Sequence, residues 1–85
     1  MSITTASANA AVIMLAQMMD GTPGAAYSGW TTTSPGSLTE VLDFNGVTSD
    51  ESIGGAWAIK AAAGSTGSGT VTLNQNKKWG AILLA

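Results

Sequence analysis

The stretch TVTLNQNKKWGAILLA, Thr70–Ala85, decides how this chain is read. Its first part alternates, with Val71 and Leu73 on one side and Thr70, Thr72 and Asn74 on the other, which is the period of a strand with one face in a core. Its last part, Trp79–Ala85, has no polar side chain on either side. Such a strand is expected where both faces are covered, in the middle of a packed sandwich or against a neighbouring subunit. The polar Gln75-Asn76-Lys77 between the two runs predicts that they pair as an antiparallel hairpin. A terminus normally frays, because few terminal residues bury enough surface to offset the entropy of ordering them. The final strand is therefore expected to pair inside a sheet, with part of its outer surface covered by another chain.

Working outward from that stretch, turn signals cut the rest of the chain into short runs. They are Asp20-Gly21-Thr22-Pro23-Gly24, Ser34-Pro35-Gly36, Asn45-Gly46, Gly54-Gly55 and AGSTGSG from Ala63 to Gly69. Between them, SLTEVLDF (Ser37–Phe44) reads as a strand with mixed faces. AWAIKAA (Ala56–Ala62) places Trp57 and Ile59 on one side and Ala58 and Lys60 on the other. ANAAVIMLAQMM (Ala8–Met19) is apolar on both alternating sides, so it fits a buried strand, while its Ala, Leu and Met content fits a short helix. Five or six short strands at intervals of roughly ten residues indicate an all-β fold, a small antiparallel β-sandwich or jelly-roll-like module. No internal repeat is visible, and residues 1–85 read as a single β-sandwich domain.

Composition sets the energetic frame. A single domain of 85 residues is close to the size at which one hydrophobic core is only just sufficient. The absence of cysteine rules out disulfides and thiolate metal sites as staples. Charged residues make up 9% of the chain, against roughly 25% in an ordinary soluble domain. Much of the surface must therefore be Ser, Thr, Asn, Gly and Ala, which resists association weakly. Composition thus points to a chain that works in an assembly.

The same inventory excludes several partners. The net charge is −2, and Lys60, Lys77 and Lys78 are the cations. Nucleic acid is not expected, since phosphate contacts need several Lys or Arg on one face. A membrane span is not expected either, because the run Ala10–Met19 is interrupted by Gln17 and is about half the ~20 residues required. Nothing basic precedes that run, as the n-region of a signal peptide would require, so synthesis in the cytoplasm without secretion is expected.

Several motifs resemble those of a small β-sandwich module of phage virion proteins, also seen at the ends of bacterial surface proteins. Its members show Pro-x-Gly-[Met/Leu]-Thr-Glu, an Ala-[Tyr/Trp]-x-x-x-Ala strand, a Gly-Ala-Thr-Gly loop, a Thr-x-Thr-Leu strand and a final Trp-[Ala/Gly]-x-[Ile/Leu]-Leu-Leu-Ala strand. The corresponding segments here are Pro35–Glu40, Ala56–Ala62, Gly64–Gly67, Thr70–Leu73 and Trp79–Ala85. The match covers a little over half the chain. An Asn-Ala-Ala-Val-Ile strand followed by Asp-Gly-Thr-Pro matches the N-terminal third loosely. The module usually continues with Leu-[Arg/Lys]-Pro, which this sequence lacks. These are packing motifs, so the resemblance bears on fold more than on function.

Catalytic chemistry finds no support. There is no histidine to act as a general base, and no GxSxG elbow activates a serine. Glu40 and Asp43 are three positions apart and are expected on opposite sides of a regular strand. Asp50 and Glu51, near Asp43, offer oxygen ligands to Ca²⁺ but lack an EF-hand pattern, and no metal is expected. GSTGSG lacks GxxxxGK[ST] and reads as a flexible hairpin connection, not a phosphate loop. No catalytic residue and no cofactor is expected.

The aromatic residues divide in two. Trp57 and Trp79 lie in alternating apolar strands and are expected, with Val71 and Leu73, as core anchors, since each Trp buries on the order of 200 Å². Trp30, in YSGWTTTSPG, is open between a lid over the core, a subunit contact and a ligand contact. The expected assembly residues are Trp30, Ile82, Leu84 and Ala85. The resulting expectation is a non-enzymatic virion structural protein made in the host cytoplasm, most concretely a phage capsid decoration or cement protein. Its partners would be itself, as a homo-oligomer, and a capsid or other virion protein. The alternative is a tail-fibre or surface recognition module binding carbohydrate or receptor, for which Tyr27, Trp30, Trp57 and Trp79 would form the stacking platform.

Overall fold

A computed structural model describes residues 1–19, 25–45, 51–75 and 79–85. Among these residues all regular structure is β. The strands are β1 (Thr4–Thr5), β2 (Ala10–Met18), β3 (Tyr27–Thr31), β4 (Thr39–Asn45), β5 (Ser52–Lys60), β6 (Gly64–Ser65), β7 (Thr70–Leu73) and β8 (Trp79–Leu84). One layer is an antiparallel sheet in the order β4-β5-β2-β8. The pair β3-β7 lies against it, and β1-β6 forms a third, two-residue ladder. The core between the layers takes Val12, Met14 and Ala16 from β2, Tyr27 and Trp30 from β3, Ala56 from β5, Val71 from β7 and Leu83 from β8, with Leu38 from the turn before β4. The expected small β-sandwich is thus the fold observed.

The segment left open between helix and strand is β2. Its burial alternates strictly, with Val12, Met14, Ala16 and Met18 inside. Helix preference gives way because β2 is the central strand. It pairs along its whole length with β5 and over Ile13–Met18 with β8, so two ladders satisfy its backbone at once.

Thr70–Leu73 and Trp79–Leu84 do not pair as the expected hairpin. β7 pairs with β3, Tyr27 opposite Leu73, whereas β8 pairs with β2, Met18 opposite Trp79 and Ile13 opposite Leu84. The two strands belong to opposite layers, and their inward residues Val71 and Leu83 meet in the core. A hairpin would have set those side chains beside one another on one sheet face. β8 is also an edge strand of its sheet, not an interior one.

Gly54-Gly55 is likewise not a turn but the middle of β5. Gly54 faces inward, and a Cβ there would lie 2.6 Å from Tyr27 Cδ2 and 2.9 Å from Trp30 Cζ2. The missing side chain is the space into which two rings pack. Gly55 faces outward beneath Leu15, whose Cδ2 would be 3.2 Å from a Cβ at that position. Glycine in a strand here marks close approach, not chain reversal.

The Gly64–Gly67 segment is more than a flexible connection. The Thr66 side chain is fully buried. Its hydroxyl accepts the Ile3 N–H at 3.1 Å and stands within donating distance of the Ile3 and Gly67 carbonyls. The Thr66 N–H donates to the Ile3 carbonyl at 2.8 Å, and the Gly69 N–H donates to the Met1 carbonyl at 2.7 Å. The N-terminal residues are thereby tied to the start of β7. Thr66→Val keeps the shape and removes the hydroxyl, leaving the partly buried Ile3 N–H without that acceptor. We expect a loss of about 1–3 kcal/mol in urea unfolding; an unchanged midpoint would mean that the N-terminal segment is held by its backbone bonds alone.

Candidate assembly surface

The pairing register determines which side chains share the outer face of the four-stranded sheet, because directly opposed residues point the same way. One row across β4, β5, β2 and β8 is Phe44, Ile53, Gln17 and Gly80; the next is Leu42, Gly55, Leu15 and Ile82; the third is Thr39, Trp57, Ile13 and Leu84. Ile59 beside Ala11 extends the face past the third row. Gln17 and Thr39 are the polar members of the three rows, and none is charged. The charged residues of these strands, Glu40, Asp43 and Lys60, fall on the opposite side by register.

This face is open to water. Eight of its large side chains are exposed by 37% (Ile13) to 60% (Phe44), with Trp57 at 41% and Ile82 at 53%, while Leu15 in the middle row is half-buried. An outer sheet face of a sandwich ordinarily alternates to polar residues. Here β8 is apolar on both sides, β2 nearly so, and β5 is apolar on its outer side, so filling the core left a second apolar face outside. A groove runs along one end of it, lined by Leu15, Gln17, Ile53, Trp79, Gly80 and Ile82.

Several expected site residues fall elsewhere than expected. Trp57 is no core anchor: the side of β5 that it shares with Ile59 is the outer one, because Tyr27 and Trp30 occupy the space above the inner side. Trp79 points inward by register but stands at the start of edge strand β8, 41% exposed, with its ring edge-on to Tyr27 at 6.5 Å. Val71 is buried and Leu73 packs against the core. Trp30 is a core residue at 4% exposure, 5.7 Å from the Tyr27 ring, and so is not placed for an assembly contact. Ile82 and Leu84 lie on the outer face, and Ala85 follows them, exposed. Alternation alone does not reveal Phe44, Leu42, Ile53 and Ile13 as part of the same surface. Their signal was present as apolar residues on both sides of several strands, but only the register collects them.

The four-aromatic platform does not come together, since Tyr27 and Trp30 are buried, Trp79 is at the rim and Trp57 is on the outer face. Glu40 and Asp43 do share a side, contrary to the expectation for a regular strand. A bulge between Glu40 and Leu42 inserts Val41 as an extra residue and shifts the alternation. Glu40 accepts the Trp30 Nε1–H and Asp43 accepts the Tyr27 N–H, so both carboxylates hold β3 in place. Loss of hydration holds the Asp43 carboxyl above its ordinary value; the Tyr27 N–H opposes this and neighbouring Glu40 adds to it. Asp50, considered as an oxygen ligand, lies outside the described residues. The described residues contain no group of three or more acidic, His or Cys side chains placed to hold a metal ion.

The fold and this surface define the chain as a two-layer all-β domain with one uncharged apolar sheet face. No family model, curated protein or solved structure matches it.

Proposed function

We propose that the chain is a virion structural protein without enzymatic activity, a phage capsid decoration or cement protein that reinforces the shell as a homo-oligomer. The observation that carries this reading is the outer face of the four-stranded sheet. Covering it removes apolar surface from water at roughly 25 cal/mol per Å², a large supplement for a core this small. The low charge of the chain and its sequence resemblance to virion modules support the same reading. A recognition module would need exposed aromatic side chains grouped in one place, and the burial of Tyr27 and Trp30 removes half of that group.

The test uses the purified chain and undecorated shells of the virus that encodes it. The parent is expected to cosediment with the shells and raise their resistance to heat. Ile82→Lys and Leu84→Lys place a charge on side chains that already face water in the single subunit, so both should stay folded. Each should bind shells at least tenfold more weakly. Variants that oligomerise and bind as the parent does, or a parent that ignores shells and binds a glycan, would overturn the reading.

A further inference from the structure

We infer that the outer face of the β4-β5-β2-β8 sheet is the contact between two copies of this chain, stacked face to face about a twofold axis parallel to the strands. The inference rests on the reading of the chain as an assembly protein and names the surface and symmetry by which it assembles. Three observations select a second copy as the occupant.

The first is area. Eight large apolar side chains on the face are 37–60% exposed, which at roughly 200 Å² per fully exposed side chain leaves on the order of 750 Å² in water. Standard stable interfaces bury about 800 Å² per partner, and apolar patches on monomers rarely exceed a few hundred. The second is charge. Two copies stacked on this face bring no like charges together, because its three rows carry none.

The third is shape, read from the rows. An axis parallel to the strands keeps each row opposite itself and reverses its order, laying β4 of one copy over β8 of the other. Phe44, the most exposed large apolar side chain of the three rows, then stands over Gly80, where a Cβ would meet nothing within 4 Å. Leu15 stands over Gly55, and Leu84 over Thr39. Ile53 then stands over Gln17, Leu42 over Ile82 and Trp57 over Ile13, so large meets small at three of the six contacts and the other three bring apolar side chains onto one another or onto Gln17, in two sheets packed about 10 Å apart. An axis across the strands would instead lay the middle row on itself, Gly55 against Gly55 and Leu15 against Leu15, leaving a void beside a collision. Pairing through the β8 edge would leave Phe44 and Trp57 in water.

The experiment measures mass by light scattering and sedimentation velocity from 1 to 100 μM, in roughly the range of specific protein association, with the combined tryptophan emission, to which Trp57 on this face contributes, as a second readout. The parent is expected to have twice the 8.5 kDa mass of the chain, and its emission should shift to the blue as it dimerises. Phe44→Ala should raise the dissociation constant about tenfold by emptying the contact. Gly80→Phe, at a position where a Cβ meets nothing within 4 Å in the single subunit, should raise it at least as much by filling the contact. The double variant Phe44→Ala/Gly80→Phe moves the ring to the other strand and should recover to within about threefold of the parent, a rescue that loss of folding cannot produce. A parent that stays monomeric at 100 μM overturns the inference, as do single variants that dimerise like the parent or a double variant with no recovery. A monomeric parent that still binds shells and raises their heat resistance would sink this dimer and leave the shell-binding role standing, without its homo-oligomer. A dimer with the expected rescue that ignores shells would do the reverse.

Discussion

Gly54→Ala is expected to lower the thermal unfolding midpoint by about 10–20 °C, and Gly54→Val to leave the chain unfolded at room temperature. A methyl group at this position would stand 2.6 Å from Tyr27 Cδ2 and 2.9 Å from Trp30 Cζ2. Neither ring can withdraw easily. The Tyr27 hydroxyl shares a 2.8 Å hydrogen bond with Ser52 Oγ on the same strand as Gly54, and the Trp30 indole donates to Glu40 on β4. Moving the rings would break both contacts and lift β3 from the larger sheet. Overpacking of this kind costs about 1–3 kcal/mol for a small group and more for a branched one, out of a total near the lower end of the usual 5–15 kcal/mol. Thermal and urea unfolding followed by far-UV circular dichroism measures it. A Gly54→Ala protein with the parent's midpoint would show that the rings do not rest on β5.

Trp30→Ala is expected to cost about 3–5 kcal/mol, the range for removing a large buried aromatic side chain. The residue is 4% exposed and packs between Tyr27 and the glycine surface of β5. The other two tryptophans should behave differently, because more than a third of each is already in water. Trp79→Ala should cost roughly half as much, and Trp57→Ala should change the stability of the single subunit by no more than about 1 kcal/mol. Trp57→Ala should instead weaken association, so its effect on apparent stability should grow with protein concentration. The ranking Trp30, Trp79, Trp57 in dilute urea titrations is the measurement, and a larger loss at Trp57 than at Trp30 would reverse the assignment of inner and outer faces. Gly54→Ala in the Trp30→Ala background should cost less than in the parent, since one of the two obstructing rings is gone.

The candidate surface is partly legible in the amino-acid sequence. Ile82 and Leu84 stand out because Trp79–Ala85 has no polar side on which a water-facing surface could be built. Phe44, Ile53 and Trp57 do not stand out in that way, since each lies in a strand whose other residues allow an ordinary core reading. The carboxylates show the same limit from the other direction. Three positions of separation put Glu40 and Asp43 on opposite sides of an ideal strand, and a single extra residue at Val41 brings them to the same side. Local alternation cannot announce a bulge, because a bulge is defined by the partner strand.

What the amino-acid sequence determined by itself is the all-β character, the break at Ser34-Pro35-Gly36 between β3 and β4, and which neighbours in a strand share a side: Val71 with Leu73, Trp57 with Ile59, Ile82 with Leu84. These follow from a side-chain period of two and from residues that favour or forbid extended backbone, both properties of a short stretch of chain. Only the tertiary structure decided which side faces in, and which strands pair. Trp57 faces out and Gly54 faces in because Tyr27 and Trp30, more than twenty residues earlier, fill the space above β5. Thr70–Leu73 and Trp79–Leu84 part into opposite layers, paired with β3 and β2, and send Val71 and Leu83 into the common core from the two layers. Both choices are settled by volume and contact between residues far apart in the chain, to which the period of any single strand is blind.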